Sequence, residues 1–193
     1  MQRKSLIELD LYGTRFRICF SFFAVTAFMA AVSRDGAALC GLIACLLHEC
    51  GHYLLMRLYG VHIKGVTLYG AGIMIVPEKR RILSLFKEIT VLLAGCTVNF
   101  LLFLIFGETT FGYVNLFLCI FNLIPSGHLD GGRILNMLLS AFLPCNERSV
   151  INICRVTGCV SALLFPLWAW SSDIKNPTVY IAGAVMLTAA LIG

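Results

Sequence analysis

Apolar runs follow one another along this chain from residue 18 almost to its end, separated only by short polar stretches. A soluble fold of 193 residues has too little interior to hide them. Hydrophobic residues make up 59% of the chain and charged residues only 13%, where an ordinary soluble domain has about 45–50% and about 25%. No polar half remains to form a second domain. The pattern excludes a disordered chain, a secreted disulfide scaffold and a free nucleic-acid binder. It predicts an all-α polytopic membrane protein in contact with the lipid bilayer.

A helix needs about 20 residues to cross the hydrocarbon core. Six stretches are candidate transmembrane helices: residues 17–33, 37–58, 89–107, 112–126, 150–170 and 178–193. Several are short, the last has indistinct boundaries, and the fourth is interrupted by Pro125 and Gly127. Such spans suit helices that stop inside a protein cavity. With the N-terminus inside, this threading leaves only Arg34 and Lys175 of the 15 basic residues outside, as the positive-inside rule requires. The expectation is a multi-pass protein of the cell membrane with both termini in the cytoplasm. The opening MQRKSLIELDLYGTRFRICF lacks a small-residue cleavage site and reads as a cytoplasmic tail.

Residues 61–76, VHIKGVTLYGAGIMIV, are β-branched and partly alternating. They predict a short β-hairpin or re-entrant strand pair between helices 2 and 3. Its plain reading is a connection with β character; its functional reading is a strand edge open to an extended peptide. EKRR at 78–81 suits lipid headgroups rather than nucleic acid. The nine cysteines include no C-x-x-C pair and lie mostly in apolar stretches, as buried small hydrophobes do.

Within the second span, LLHECGHYLLM carries His48, Glu49 and His52. Positions i and i+4 share one helix face, so both imidazoles can grip one metal ion, and Glu49 lies beside the first ligand, where a general base toward water is needed. Two histidines and a glutamate in a helix that enters lipid are costly, and ionisable groups there default to function. The plain alternative is a polar cluster satisfied by neighbouring helices or lining a transport path.

A catalytic zinc takes three protein ligands and keeps one position open. Asp10, Asp35, Glu78, Glu88, Glu108 and Asp130 are the candidates for the third. Glu78 and Glu88 sit beside Lys and Arg, where ion pairing explains them. Asp130 follows a helix break in an otherwise apolar segment, precedes Gly131 and Gly132, and lies at the membrane depth of the histidines in the six-span threading. Depth therefore favours Asp130.

HECGH in one membrane helix, followed by Asn122-Leu123-Ile124-Pro125 and Leu129-Asp130-Gly131, resembles the site-2 protease family of intramembrane zinc metalloproteases, peptidase family M50. The bacterial sporulation-type branch is nearest in size and layout. The resemblance covers roughly residues 35–140. It implies a six-helix fold, one Zn²⁺ per chain on His48, His52 and Asp130, and Glu49 activating water. Asn99 in LAGCTVNF matches a family asparagine that usually follows Gly-Pro, although Cys96 stands in the proline's place. Asn122 and Pro125 match the family's Asn-x-x-Pro. His128 departs from the pattern, and its readings are a polar residue at the mouth of the site, a hydrogen-bond donor to Asp130 or substrate, or a transient ligand.

The resemblance further implies hydrolysis of a peptide bond within or next to a transmembrane segment of a membrane-associated protein, with Asn122 and Asn99 as donors to substrate backbone or the oxyanion. The expected organisation is a single membrane metalloprotease domain over 1–193 without a PDZ or CBS module. Regulation would then come from a partner protein in the membrane or from the stability of the substrate helix. Two other readings stand beside this one. One is a divalent-metal transporter or non-catalytic zinc-binding membrane protein. The other is a membrane metalloprotease of soluble substrates using Glu78 or Glu88.

Overall fold

Alternation of apolar and charged residues builds a strand pair at the N-terminus, where a tail was expected. The structure, a computed structural model, describes residues 5–11, 13–32, 36–69, 72–77, 83–126, 129–142, 146–171, 183–184, 186–188 and 190–191. Strand β1 (Ser5–Leu11) pairs antiparallel with β2 (Thr14–Cys19), placing Glu8 opposite Arg17, Asp10 opposite Arg15 and Leu9 opposite Phe16. Glu8 Oε1 lies 3.1 Å from Arg17 Nε and 3.5 Å from Arg15 Nε. These exposed ion pairs select register more than they stabilise, since each is worth about 0–1 kcal/mol.

β2 runs directly into α1 (Phe20–Val32), and α2 (Ala37–Leu58) returns the chain to the sheet. The helical hairpin is thus the crossover that a parallel strand pair demands. β3 (Ile63–Tyr69) joins β2 in parallel, Phe16 opposite Val66 and Ile18 opposite Leu68. The Thr14 hydroxyl donates to the Ile63 carbonyl at 3.2 Å beneath the pair. β4 (Gly72–Pro77) closes the expected hairpin with β3 and leaves a four-stranded sheet in the order β1-β2-β3-β4. The fold is therefore not purely helical outside one hairpin: the N-terminal strands double the sheet.

Chain ends of α2 follow from local chemistry. Gly60, at φ 72°, takes the left-handed position that a side chain disfavours. Its N–H then donates to Arg57 O at 2.9 Å while Val61 N–H reaches Met56 O at 2.9 Å, a Schellman closure that turns α2 into β3.

α3 (Leu85–Phe106) and α4 (Thr110–Leu123) follow, joined by a tight turn in which the Gly112 N–H donates to Thr109 Oγ1 at 3.1 Å. α4 stops two residues before Pro125, in keeping with the restriction proline places on its predecessor. α5 (Asp130–Phe142) was not expected. Its sequence DGGRILNMLLSAF mixes polar and apolar positions and contains no long continuous apolar run. α6 (Glu147–Ser171) is capped by Asn146, whose Oδ1 accepts the Ser149 N–H at 2.9 Å.

Among the described residues, three helices are long and apolar enough to cross a membrane: α2, α3 and Glu147–Trp168 of α6. Six spans were expected. α1 has 13 residues, about 20 Å at 1.5 Å per residue, because the first residues of candidate span 17–33 belong to β2. α4 is apolar but shorter than a span. Most of candidate span 178–193 lies outside the described residues. Leu54, Leu104 and Ile105 are 62%, 60% and 73% exposed, a surface solvated by acyl chains rather than water.

The chain divides into two units, Met1–Cys119 and Ile120–Gly193, with the boundary inside α4. In the first, α2 packs on α3 through Ala44, His48, Gly51 and His52 against Val91, Leu92, Gly95, Cys96 and Asn99. Small residues let the backbones approach: a Cβ built on Gly51 would lie 2.8 Å from Ala94 O. In the second, α5 packs on α6.

Candidate metal centre

The one-turn spacing of His48 and His52 brings two rings onto the buried face of α2, 6% and 8% exposed. Their centroids are 4.6 Å apart with planes at 86°, and the two Nε2 atoms are 3.0 Å apart. Two nitrogens on one tetrahedral zinc at 2.0–2.1 Å would be separated by about 3.3 Å. The imidazole pair therefore fits a zinc ion nearly as it stands.

α3 determines how His52 is presented. Nδ1 of His52 lies 2.7 Å from the Val91 carbonyl. A carbonyl can only accept, so Nδ1 carries the proton and, in the neutral ring, Nε2 keeps its lone pair. Most metal-bound histidines donate their other ring N–H to a carbonyl or carboxylate in this way.

Glu49, beside His48, is half-buried, and Cys50 is exposed on another face, as helical periodicity requires. Asn99 is fully buried, and neither its Oδ1 nor its Nδ2 has a hydrogen-bond partner among the described residues. An unsatisfied buried amide costs about 1–3 kcal/mol, a cost that a ligand or a water can offset.

Sequence reasoning missed two groups that touch the histidines and one further buried amide. Val91 acts through its backbone, which no residue identity reveals. Gly95 acts by lacking a side chain. Asn115 on α4 is fully buried, its Nδ2 donating to Phe111 O at 2.8 Å while Oδ1 has no partner among the described residues. A polar amide inside an apolar run was its available signal.

In the second unit, Asp130 opens α5 and is 7% exposed. The N-terminal end of a helix favours a carboxylate there. A Cβ at Gly131 would collide with the Leu123 carbonyl, so only glycine permits this close return after α4. Asn122 is half-buried at the end of α4 and Pro125 is exposed.

The other third-ligand candidates look different. Asp10 is exposed and 3.9 Å from Arg15, Glu88 is half-buried in the first turn of α3 and Glu108 is exposed. Asp35, Glu78 and His128 lie outside the described residues. Asp130 is the buried carboxylate among those described.

Comparison with known proteins bears on the same segments. The family model of peptidase family M50 matches residues 108–165. Stage IV sporulation protein FB of Bacillus subtilis is 29% identical over 149 residues, 68% of this chain and 52% of that protein. A zinc metalloprotease of Methanocaldococcus jannaschii is 32% identical over 113 residues, 51% of this chain and 32% of that protein. The chain thus spans about half the length of the first relative and a third of the second. The solved site-2 protease from Methanocaldococcus jannaschii superposes with a TM-score of 0.65 at 23% identity, covering 95% of this chain and 93% of that one, which shows a shared fold. Family model and sequence relatives agree that the chain is similar to peptidase family M50 and its zinc metalloproteases, and it shares the fold of a solved site-2 protease.

Proposed function

We propose that the chain is a zinc-dependent membrane endopeptidase that cleaves a peptide bond within or next to a transmembrane segment of a membrane-associated protein. The observation that carries this reading is the buried imidazole pair with both Nε2 atoms 3.0 Å apart, one of them held in the metal-binding tautomer by a backbone carbonyl.

His48, His52 and Asp130 are the proposed ligands of one zinc ion. Two neutral imidazoles and a carboxylate are a donor set that suits zinc and leaves a coordination position open. Bound there, zinc supplies Lewis acidity toward the scissile carbonyl and lowers the pKa of water. Glu49 is the general base: its carboxylate takes the proton of the attacking water and passes it to the leaving amine nitrogen. Asn122 and Asn99 are proposed to donate amide N–H groups to substrate backbone or the oxyanion. The unsatisfied amide of Asn99 supports its part.

A helical substrate must unwind before its carbonyls can be attacked. β4 lies at the end of the sheet order and packs on α2, the helix that carries the histidines. An edge strand has free backbone donors and acceptors, so β4 is the proposed partner of the extended substrate. The distribution of basic residues supports cytoplasmic termini and a site in the inner half of the membrane.

The test is co-expression with single-span membrane substrates, comparing the parent with Glu49→Gln. A cytosolic fragment released by the parent alone is expected. Equal release by both would remove Glu49 as the base, and metal uptake across vesicles without any cleavage would favour a transporter.

A further inference from the structure

We infer that Gly95 is a positioning residue for the His48–His52 pair, and that its missing side chain sets how tightly the pair holds metal. The inference rests on the proposed reading of these imidazoles as zinc ligands. A Cβ built on Gly95 would stand 2.6 Å from His48 Cε1, 2.6 Å from His52 Nε2 and 2.7 Å from His48 Nε2. Those separations are shorter than real Cβ contacts, and the three nearest atoms all belong to the two rings, both donor nitrogens included.

α3 thus acts on the histidines twice along one stripe. Val91 anchors the far nitrogen of His52 at 2.7 Å. Gly95, one turn further on, leaves the hollow into which both rings fit. A methyl at position 95 cannot be accommodated by a small slide of His52, because Nδ1 is already tied to Val91. Either that hydrogen bond breaks or His48 is pushed aside, and in both cases the donor nitrogens leave their common approach.

The neighbouring glycine of the same helix pair separates this role from simple packing. A Cβ on Gly51 would meet the main chain of α3, Ala94 O at 2.8 Å and Ala94 C at 3.0 Å. Backbone cannot step aside, so alanine at 51 forces the helices apart. Alanine at 95 meets ring atoms, which rotate. Gly95→Ala therefore yields a folded protein with a spoiled donor pair, whereas Gly51→Ala yields a destabilised one.

The experiment uses the full chain in detergent: parent, Gly95→Ala, Gly51→Ala and His48→Ala. Zinc affinity is measured by competition with a chromophoric chelator, the Co²⁺ visible spectrum reports coordination, and thermal unfolding is followed without metal. Gly95→Ala is expected to weaken zinc binding about 10–100-fold, the range seen when groups that orient ligands are altered, and to change the Co²⁺ bands. Its metal-free thermal midpoint should fall less than that of Gly51→Ala. In a His48→Ala/His52→Ala background the same substitution should not lower the midpoint, since no ring is left to displace.

Parent-like zinc affinity in Gly95→Ala overturns the inference and leaves the zinc reading intact. Failure of Gly95→Ala to fold, or loss of zinc only in step with a Gly51→Ala-like loss of stability, also overturns it, because the methyl would then be moving helices. A parent that binds no zinc, or binds it unchanged after His48→Ala, overturns the zinc reading itself.

Discussion

His52 and Val91 are joined across two helices: the ring Nδ1–H donates to the backbone carbonyl at 2.7 Å. The bond fixes ring orientation and tautomer with a group that no substitution at position 91 removes. The chemistry proposed for α2 therefore depends on the register of α3 against it, and the variants below separate ligand, base, substrate and scaffold roles.

Replacing Glu49 by Gln keeps size and helix propensity but removes the proton acceptor. Cleavage should fall by at least about 10²–10⁴-fold, the range for loss of a general base. Zinc content by plasma mass spectrometry should remain that of the parent.

Asp130→Ala and Glu88→Ala distinguish the two sources of a third ligand. Zinc content should drop strongly in Asp130→Ala and stay at the parent level in Glu88→Ala, whose carboxylate is half-buried at the start of α3. The reverse outcome would move the third ligand to the first turn of α3.

Treatment with 1,10-phenanthroline should abolish cleavage, and added Zn²⁺ should restore it. Restoration should fail in His48→Ala, which lacks one of the two Nε2 donors.

Asn99→Leu fills a similar volume without the unsatisfied amide. If the amide serves substrate, turnover should fall about 10²–10³-fold, as when an oxyanion donor is removed. Thermal stability in detergent should hold or rise, since a buried polar group without a partner is a cost.

Gly60→Ala tests the turn that feeds α2 into the sheet. At φ 72° a side chain is strained, and a loss of about 1 kcal/mol is expected, read as a lowered thermal midpoint with zinc affinity unchanged.

Local spacing and composition, by themselves, determined the membrane class, the limits of α2, the β3–β4 hairpin, the pairing of His48 with His52 and the candidacy of Asp130. Each follows from a short-range period or from the cost of polar groups in lipid. The N-terminal sheet was nearly as accessible, because Leu6-Ile7-Glu8-Leu9-Asp10 and Arg15-Phe16-Arg17-Ile18 alternate with complementary charges. Its basic charges read equally as a tail, and α5 escaped because its apolar residues line one face and form no continuous run. Tertiary structure alone decided that β2 would meet β3 in parallel across a helical crossover. It also decided that Val91 would turn its carbonyl to His52 and that Gly95 would leave room for both rings. A backbone oxygen and an absent side chain have no signature in a residue list; they acquire a role only when close packing brings one helix against another.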